Sequence, residues 1–215
     1  MAIRRSNTLQ EQTRTTGTTF SYSFNNTEGD YLVVALTGEN GDTIPITYAG
    51  VSMTLIVSIA TGISTTGIKM YALQNPTKGV NTVSASGMNS GGNFTRFHTA
   101  AYVGVSQESN VVDVINSVAS TSATPGLTLA STVSRVWSVG MIYTNSASTA
   151  TGTTVKVTNL SNNIGIIDTN NNPLVVGTAG FTLTQASALY SIAGFSLNEK
   201  PESKVSDFFR FFLFR

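Results

Sequence analysis

"TFSYSFNNTEGDYLVVALTGENGD", residues 19–42, decides the fold. Successive side chains of a strand point to opposite faces, so Phe20, Tyr22 and Phe24 share one face of an extended segment whose other face carries Ser and Thr. "NNTEGD" then supplies the Asn, Gly and Asp of a turn. Residues 31–37, "YLVVALT", form a near-continuous apolar run of strand length, and "GENGD" ends it.

The same reading outward from this stretch predicts strands near 43–49, 51–60, 68–73, 80–86, 94–105, 111–119, 126–133, 135–144, 153–159, 163–168, 174–184 and 187–197. "GISTTG", "NPTKG", "GMNSGGN" and "TNNNP" punctuate them with residues that start turns or accept positive φ. No window keeps a 3.6-residue apolar stripe for three turns, and β-branched residues are dense. The expected fold is all-β: an antiparallel two-sheet sandwich over residues 18–199, jelly-roll-like in preference to immunoglobulin-like. An extended N-terminal arm, residues 1–17, and a C-terminal aromatic tail, residues 200–215, lie outside it. A chain of 215 residues can bury about 70% of its unfolded surface, enough for a self-sufficient core.

An internal echo divides the body into two similar halves. "YLVVALTGENG", "NTVSASGMNS" and "FHTAAYVGVSQES" in the first are answered by "VWSVGMIYTNS", "TTVKVTNLSN" and "ALYSIAGFSLNEK" in the second. Each set runs apolar strand, Thr/Val strand, then aromatic and small-residue strand, as a double Greek key would.

Only 11% of residues are charged and the net charge is +1, against about a quarter charged in an ordinary globular domain. The surface of the body is therefore mostly Ser, Thr, Asn and Gly. A basic footprint able to release counterions from nucleic acid is missing from the body, so nucleic acid is not an expected partner. Arg4 and Arg5 give the arm a local positive charge and are its candidate partner-binding residues. "MAIRRSNTLQEQ" lacks the apolar run of a secretory signal, and no stretch reaches the roughly 20 apolar residues of a spanning helix. The chain reads as soluble and made in a cytoplasm. The absence of cysteine rules out disulfides and thiolate metal sites.

Candidate chemistry is sparse. His98, the single histidine, sits in "RFHTAAY" on the face of Arg96 and Ala100, opposite Phe97, and reads as a strand residue without catalytic duty. Glu28 with Asp30 and Glu39 with Asp42 suit turns, since a glycosidase needs two carboxylates facing across a cleft. "DTNNNP", Asp168–Pro173, imitates the start of a calcium loop, with Asp168, Asn170 and Asn172 at positions one, three and five. It then has proline at position six and Ala179 at position twelve, where glycine and a bidentate glutamate are required. Trp137 and Tyr143 could line a sugar face but alternate with small apolar residues, which favours core packing. No enzyme activity, cofactor or metal is expected.

The succession "ITYAGVSMTLIVS", "IKMYALQNPTKGVNTVSAS", "AAYVGVSQ" and "YSIAGFSLNE" resembles a β-sandwich module common in tailed-bacteriophage virion proteins and in some secreted bacterial multidomain proteins. The resemblance spans about residues 31–199. It implies a virion structural or attachment role, such as capsid decoration or a head, tail or fibre component, located in the virion. The implied partners are other virion proteins or copies of itself in a homo-oligomer, with a host-surface glycan as ligand in the alternative reading of an adhesion module.

The tail "SDFFRFFLFR", residues 206–215, holds five of the eleven phenylalanines. Leaving five such side chains in water would forfeit on the order of 10 kcal/mol. Something must cover them: a partner or neighbouring copy, the protein's own sandwich or, less favoured, a membrane surface. Phe208, Phe209, Arg210, Phe211, Phe212, Phe214 and Arg215 are accordingly the expected contact residues at this end.

Overall fold

The computed structural model describes residues 3–38, 44–60, 67–88, 95–108, 111–130, 136–150, 155–157, 164–168 and 179–201. Every regular element among them is a strand. The first half comprises β1 (Arg4–Arg14), β2 (Thr19–Asn26), β3 (Tyr31–Thr37), β4 (Ile46–Tyr48), β5 (Val51–Ser52), β6 (Thr54–Ala60), β7 (Gly67–Gln74), β8 (Gly79–Ser86) and β9 (Thr95–Val103). The second comprises β10 (Val112–Ser122), β11 (Gly126–Leu129), β12 (Val136–Thr144), β13 (Ser148–Ala150), β14 (Val155–Val157), β15 (Ile164–Asp168), β16 (Ala179–Gln185) and β17 (Ala188–Asn198).

The two halves repeat one topology. The first builds the sheets β1-β9-β3-β7-β6 and β2-β8-β4-β5, and the second builds β10-β17-β12-β15-β14 and β11-β16-β13. Substituting β10 for β1, β11 for β2, β12 for β3, β13 for β4 and β14 to β17 for β6 to β9 turns the first pair of sheet orders into the second, leaving only β5 unmatched. All ladders are antiparallel and nest: β1 with β9, β2 with β8 and β3 with β7 in one half; β10 with β17, β11 with β16 and β12 with β15 in the other.

The antiparallel sandwich expected from the sequence is thus present twice, and the molecule is four sheets deep. The two five-stranded sheets face each other across a central core that includes Val33, Met70 and Tyr102 of the first half and Trp137, Met141 and Phe195 of the second. Each then packs its other face on its own outer sheet, around Leu32, Val34, Phe24 and Phe97 in one half and Ile142, Phe181 and Ile192 in the other. This explains the unbroken apolar run of β3. Its odd residues meet the other half and its even residues meet the outer sheet, so all seven are buried.

Two of the three echoed segments occupy equivalent places, "YLVVALT" as β3 with "VWSVGMIYT" as β12, and the segments of β9 with β17. The third does not. "NTVSAS" belongs to β8, whereas "TTVKV" contains β14, the counterpart of β6. Thr/Val alternation is common to any half-exposed strand, and that is what misaligned it.

The N-terminal segment is extended, yet it is not a free arm. Arg4–Arg14 runs along β9 with one register shift between Arg5 and Leu9. Ile3 is buried in the central core, and Leu9 packs against it. Arg14 is 1% exposed; its Nε donates to the Gly17 carbonyl at 2.9 Å and its Nη1 to Thr95 Oγ1 at 2.8 Å. Apolar burial was too small to predict this strand; backbone pairing to a ready-made edge supplies what side chains do not. The isolated protein should therefore resist trypsin at Arg14 under native conditions. Rapid cleavage there, with the rest of the chain intact, would show the strand to be undocked.

Burial also marks the phenols. Desolvation pushes Tyr22, Tyr31 and Tyr102 upward, and the nearby Asp168 carboxylate adds to the effect at Tyr102. A phenol whose folded pKa exceeds its unfolded one stabilises the fold fully below the unfolded value of about 10 and loses that contribution as pH rises beyond it. Phenolate absorbance should therefore show these groups ionising only together with alkaline unfolding. Reversible titration of all tyrosines in a folded protein would contradict this.

Candidate functional surfaces

Charged side chains near the strand ends tie the elements to one another. Arg4 reaches back to the turn after β2, with Nη1 and Nη2 donating to Glu28 Oε1 and Oε2 at 2.7 and 2.8 Å. This bidentate contact holds the Glu28 carboxyl below its usual range and raises Arg4. Arg5 crosses between the halves, its Nη1 2.9 Å from Oδ2 of the fully buried Asp168. The Tyr102 hydroxyl donates to the same oxygen at 3.4 Å, and the Tyr102 ring lies 6.2 Å from that of Trp137 across the central core. Both arm arginines expected to meet a partner are thus engaged within the chain.

Turn chemistry accounts for the first acidic cluster. Asn26, fully buried, accepts at Oδ1 from the Gly29 amide at 2.8 Å, and its Nδ2 donates to the Gly29, Pro76 and Thr77 carbonyls. Lys78 donates to the Glu28 and Gly29 carbonyls and sits 3.6 Å from Asp30 Oδ1. Gly29 is required by space, since a Cβ there would lie 2.5 Å from that of Ala101. The second cluster, Glu39 and Asp42, and residues 169–173 of the calcium-like loop lie outside the described residues.

His98 is fully buried on the central face of β9, opposite Glu11 in the ladder, with Nε2 3.9 Å from Glu11 Oε1. Arg96 donates to the same oxygen at 3.3 Å. Trp137 is buried and Tyr143 half-buried against the central core, so both belong to packing. Among the described residues no three His, Asp or Glu side chains gather as a metal site would need, and no helix is long and apolar enough to span a membrane. The expected contact residues of the tail, Phe208 to Arg215, lie outside the described residues.

Sequence reading missed how hydroxyls line up on the outer faces. The alternation that buries Phe24 turns Thr19, Ser21, Ser23 and Asn25 outward, opposite Ser86, Ser84, Thr82 and Val80. Thr47 stands between Ser84 on one side and Ser52 on the other, so Ser21, Ser84, Thr47 and Ser52 form one row across four strands. Thr128, Thr149, Thr182 and Thr184 are exposed on the outer sheet of the second half. None of these positions carries a charge.

Grooves open in the surface among the described residues. One, of about 440 Å³, lies at the end of the first outer sheet among Phe20, Pro45, Ala85 and the hydroxyls of Thr19, Ser21, Thr47, Ser84 and Ser86. Another, of about 480 Å³, opens where the halves meet, between Thr54 and Ile56 of β6, Leu73 and Gln74 of β7, Tyr31, and Val111 and Val112 leading into β10. No protein-family model, curated protein or solved structure matches the chain.

Proposed function

We propose that the protein is a non-enzymatic structural subunit of a virion, in the capsid, head or tail, assembling with copies of itself or with other virion proteins. One observation carries the reading: ion pairs bind strand to turn and half to half, while the two outer faces present uncharged hydroxyls, in a row across the first and as exposed threonines on the second. Such faces suit close neighbours without desolvating charge. The nested ladders are those of a rolled-up hairpin, which supports a jelly-roll description of each half. The C-terminal residues fit as a contact segment for the reason already given for the phenylalanines.

Deleting residues 202–215 should leave the strand content intact and abolish incorporation into the particle or self-association. Normal assembly of the truncated chain would remove the tail from the reading.

The groove beside Phe20 favours a second reading, a glycan-binding adhesion module. An aromatic ring flanked by hydroxyls and free of charge suits a neutral sugar, which offers an apolar face and hydroxyls. Screening the protein on a glycan array, with Ser84→Arg as the blocked control, tests it. Equal signals from both proteins, or none from either, count against the groove as a sugar site.

A further inference from the structure

We propose that β10 is an assembly edge, along which a second copy of the chain adds its own β10 antiparallel across a two-fold axis at Val118. The inference rests on the assembly reading and deepens it, naming a surface and a partner for a self-contact separate from the tail.

Hydrogen bonding lays out the edge. β10 closes its five-stranded sheet, with β17 on one side and no strand on the other among the described residues. The amide of Asn198 donates to the Val111 carbonyl at 2.8 Å, so the even-numbered residues of β17 direct their backbone groups toward β10. Past the register shift between Val112 and Ile115, the residues that answer them are Asn116, Val118, Ser120 and Ser122. Ile115, Ser117, Ala119 and Thr121 consequently turn amide and carbonyl outward. At Ser117 that amide donates to Oδ1 of the residue before it, Asn116, at 2.8 Å.

Charge separates this edge from its counterpart. Natural sheet edges are commonly guarded by charged residues or proline, and β1, which holds the equivalent place in the first half, carries Arg4, Arg5, Glu11 and Arg14. β10 is as long, eleven residues, yet its one charge is Asp113 near its start and it has no proline. β6, which packs over β10, has no charge at all.

The exposed apolar side chains make the edge complementary to itself. Ile115 is 50% exposed and Leu189 39%, and Leu189 lies opposite Thr121 in the ladder. With the axis at Val118, Ile115 of each copy pairs with Thr121 of the other, and Leu189 stands one strand further in on the same face. The pairing thus covers Ile115 at both ends. The two copies of Asp113 fall ten positions apart along the strands, on the order of 30 Å, so like charges do not meet.

Sedimentation of the full chain should show a dimer that Ala119→Pro reduces to monomer. Ala119 is exposed and its amide points outward, so proline removes a donor that the fold itself does not use. Thr121→Lys repeats the measurement should proline disturb the strand, while Thr82→Lys, exposed on the outer face of the first half, should leave the dimer intact. The absence of cysteine lets Val118→Cys report the register: residues facing one another in a non-hydrogen-bonded pair lie about 4.5 Å apart at Cα, within disulfide reach, and oxidation should join two chains. A monomeric full-length protein, a dimer indifferent to both Ala119→Pro and Thr121→Lys, or equal loss with Thr82→Lys would overturn the proposal. A dimeric Val118→Cys protein that forms no disulfide would overturn the two-fold at this residue. Incorporation of the tail-deleted chain into particles reports on the assembly reading, so the two can fail separately.

Discussion

Phe181→Ala is expected to cost about 3–5 kcal/mol of folding stability and to lower the melting temperature on the order of 10 °C in a chain of this size. The ring is 3% exposed in the second outer core, among Leu127, Leu129, Ile142 and Ile192. It lies over a pair of glycines, Gly140 on β12 and Gly194 on β17, which face each other in the ladder. A Cβ on Gly140 would come within 2.7 Å of the ring and 2.9 Å of the Ala193 carbonyl; one on Gly194, within 2.8 Å of the ring and 2.9 Å of the Val139 carbonyl. Glycine therefore serves here to admit a neighbour.

The glycines supply the internal check. Gly194→Ala should destabilise by about 1–3 kcal/mol, the usual cost of forcing atoms into a filled core. In the Phe181→Ala background it should cost less, because the ring half of the clash is gone while the carbonyl half remains. Equal costs in the two backgrounds, read from denaturant midpoints as a double-mutant cycle, would mean that the glycines do not make room for the ring.

Much of the strand plan was legible because a half-buried strand writes its burial into alternate residues. Phe20, Tyr22 and Phe24 announced β2, and the β12 and β17 segments were placed within a few residues of their ends. β1 was not, since "RRSNTLQEQTR" puts polar groups at nearly every position and is held by backbone pairing to β9. β13, three residues long, is too short to show a period. The fourfold depth escaped for another reason: an apolar run such as "YLVVALT" says that both faces are covered without saying by what. The surfaces were less legible still. Arg5 and Asp168 are 163 positions apart, and no local pattern reports a pairing that only the stacking of two halves creates. The hydroxyl row through Ser21, Ser84, Thr47 and Ser52 likewise needs the register of three ladders, which a single sequence does not contain.

That same long-range pair should govern how the halves stay together. Arg5→Ala is expected to cost about 3–5 kcal/mol, because it withdraws the guanidinium from a carboxylate that remains buried. Asp168 is fully buried, while Arg5 keeps 23% of its side chain in contact with solvent, so the two partners are not equivalent. Losing the carboxylate leaves an arginine that can turn toward water; losing the arginine leaves a charge that cannot. Arg5→Ala should accordingly be worse than Asp168→Asn. The double variant should recover part of the Arg5→Ala loss, since a neutral amide is less costly to bury than a carboxylate deprived of its partner. The Trp137 ring, tilted against that of Tyr102 in the central core, offers a local probe, and far-ultraviolet dichroism follows all four sheets. In the Arg5→Ala protein the tryptophan signal should change at lower denaturant than the dichroism if the halves part before they unfold. Arg5→Ala as mild as Asp168→Asn would show that the buried carboxylate draws its stabilisation from elsewhere, the Tyr102 hydroxyl included.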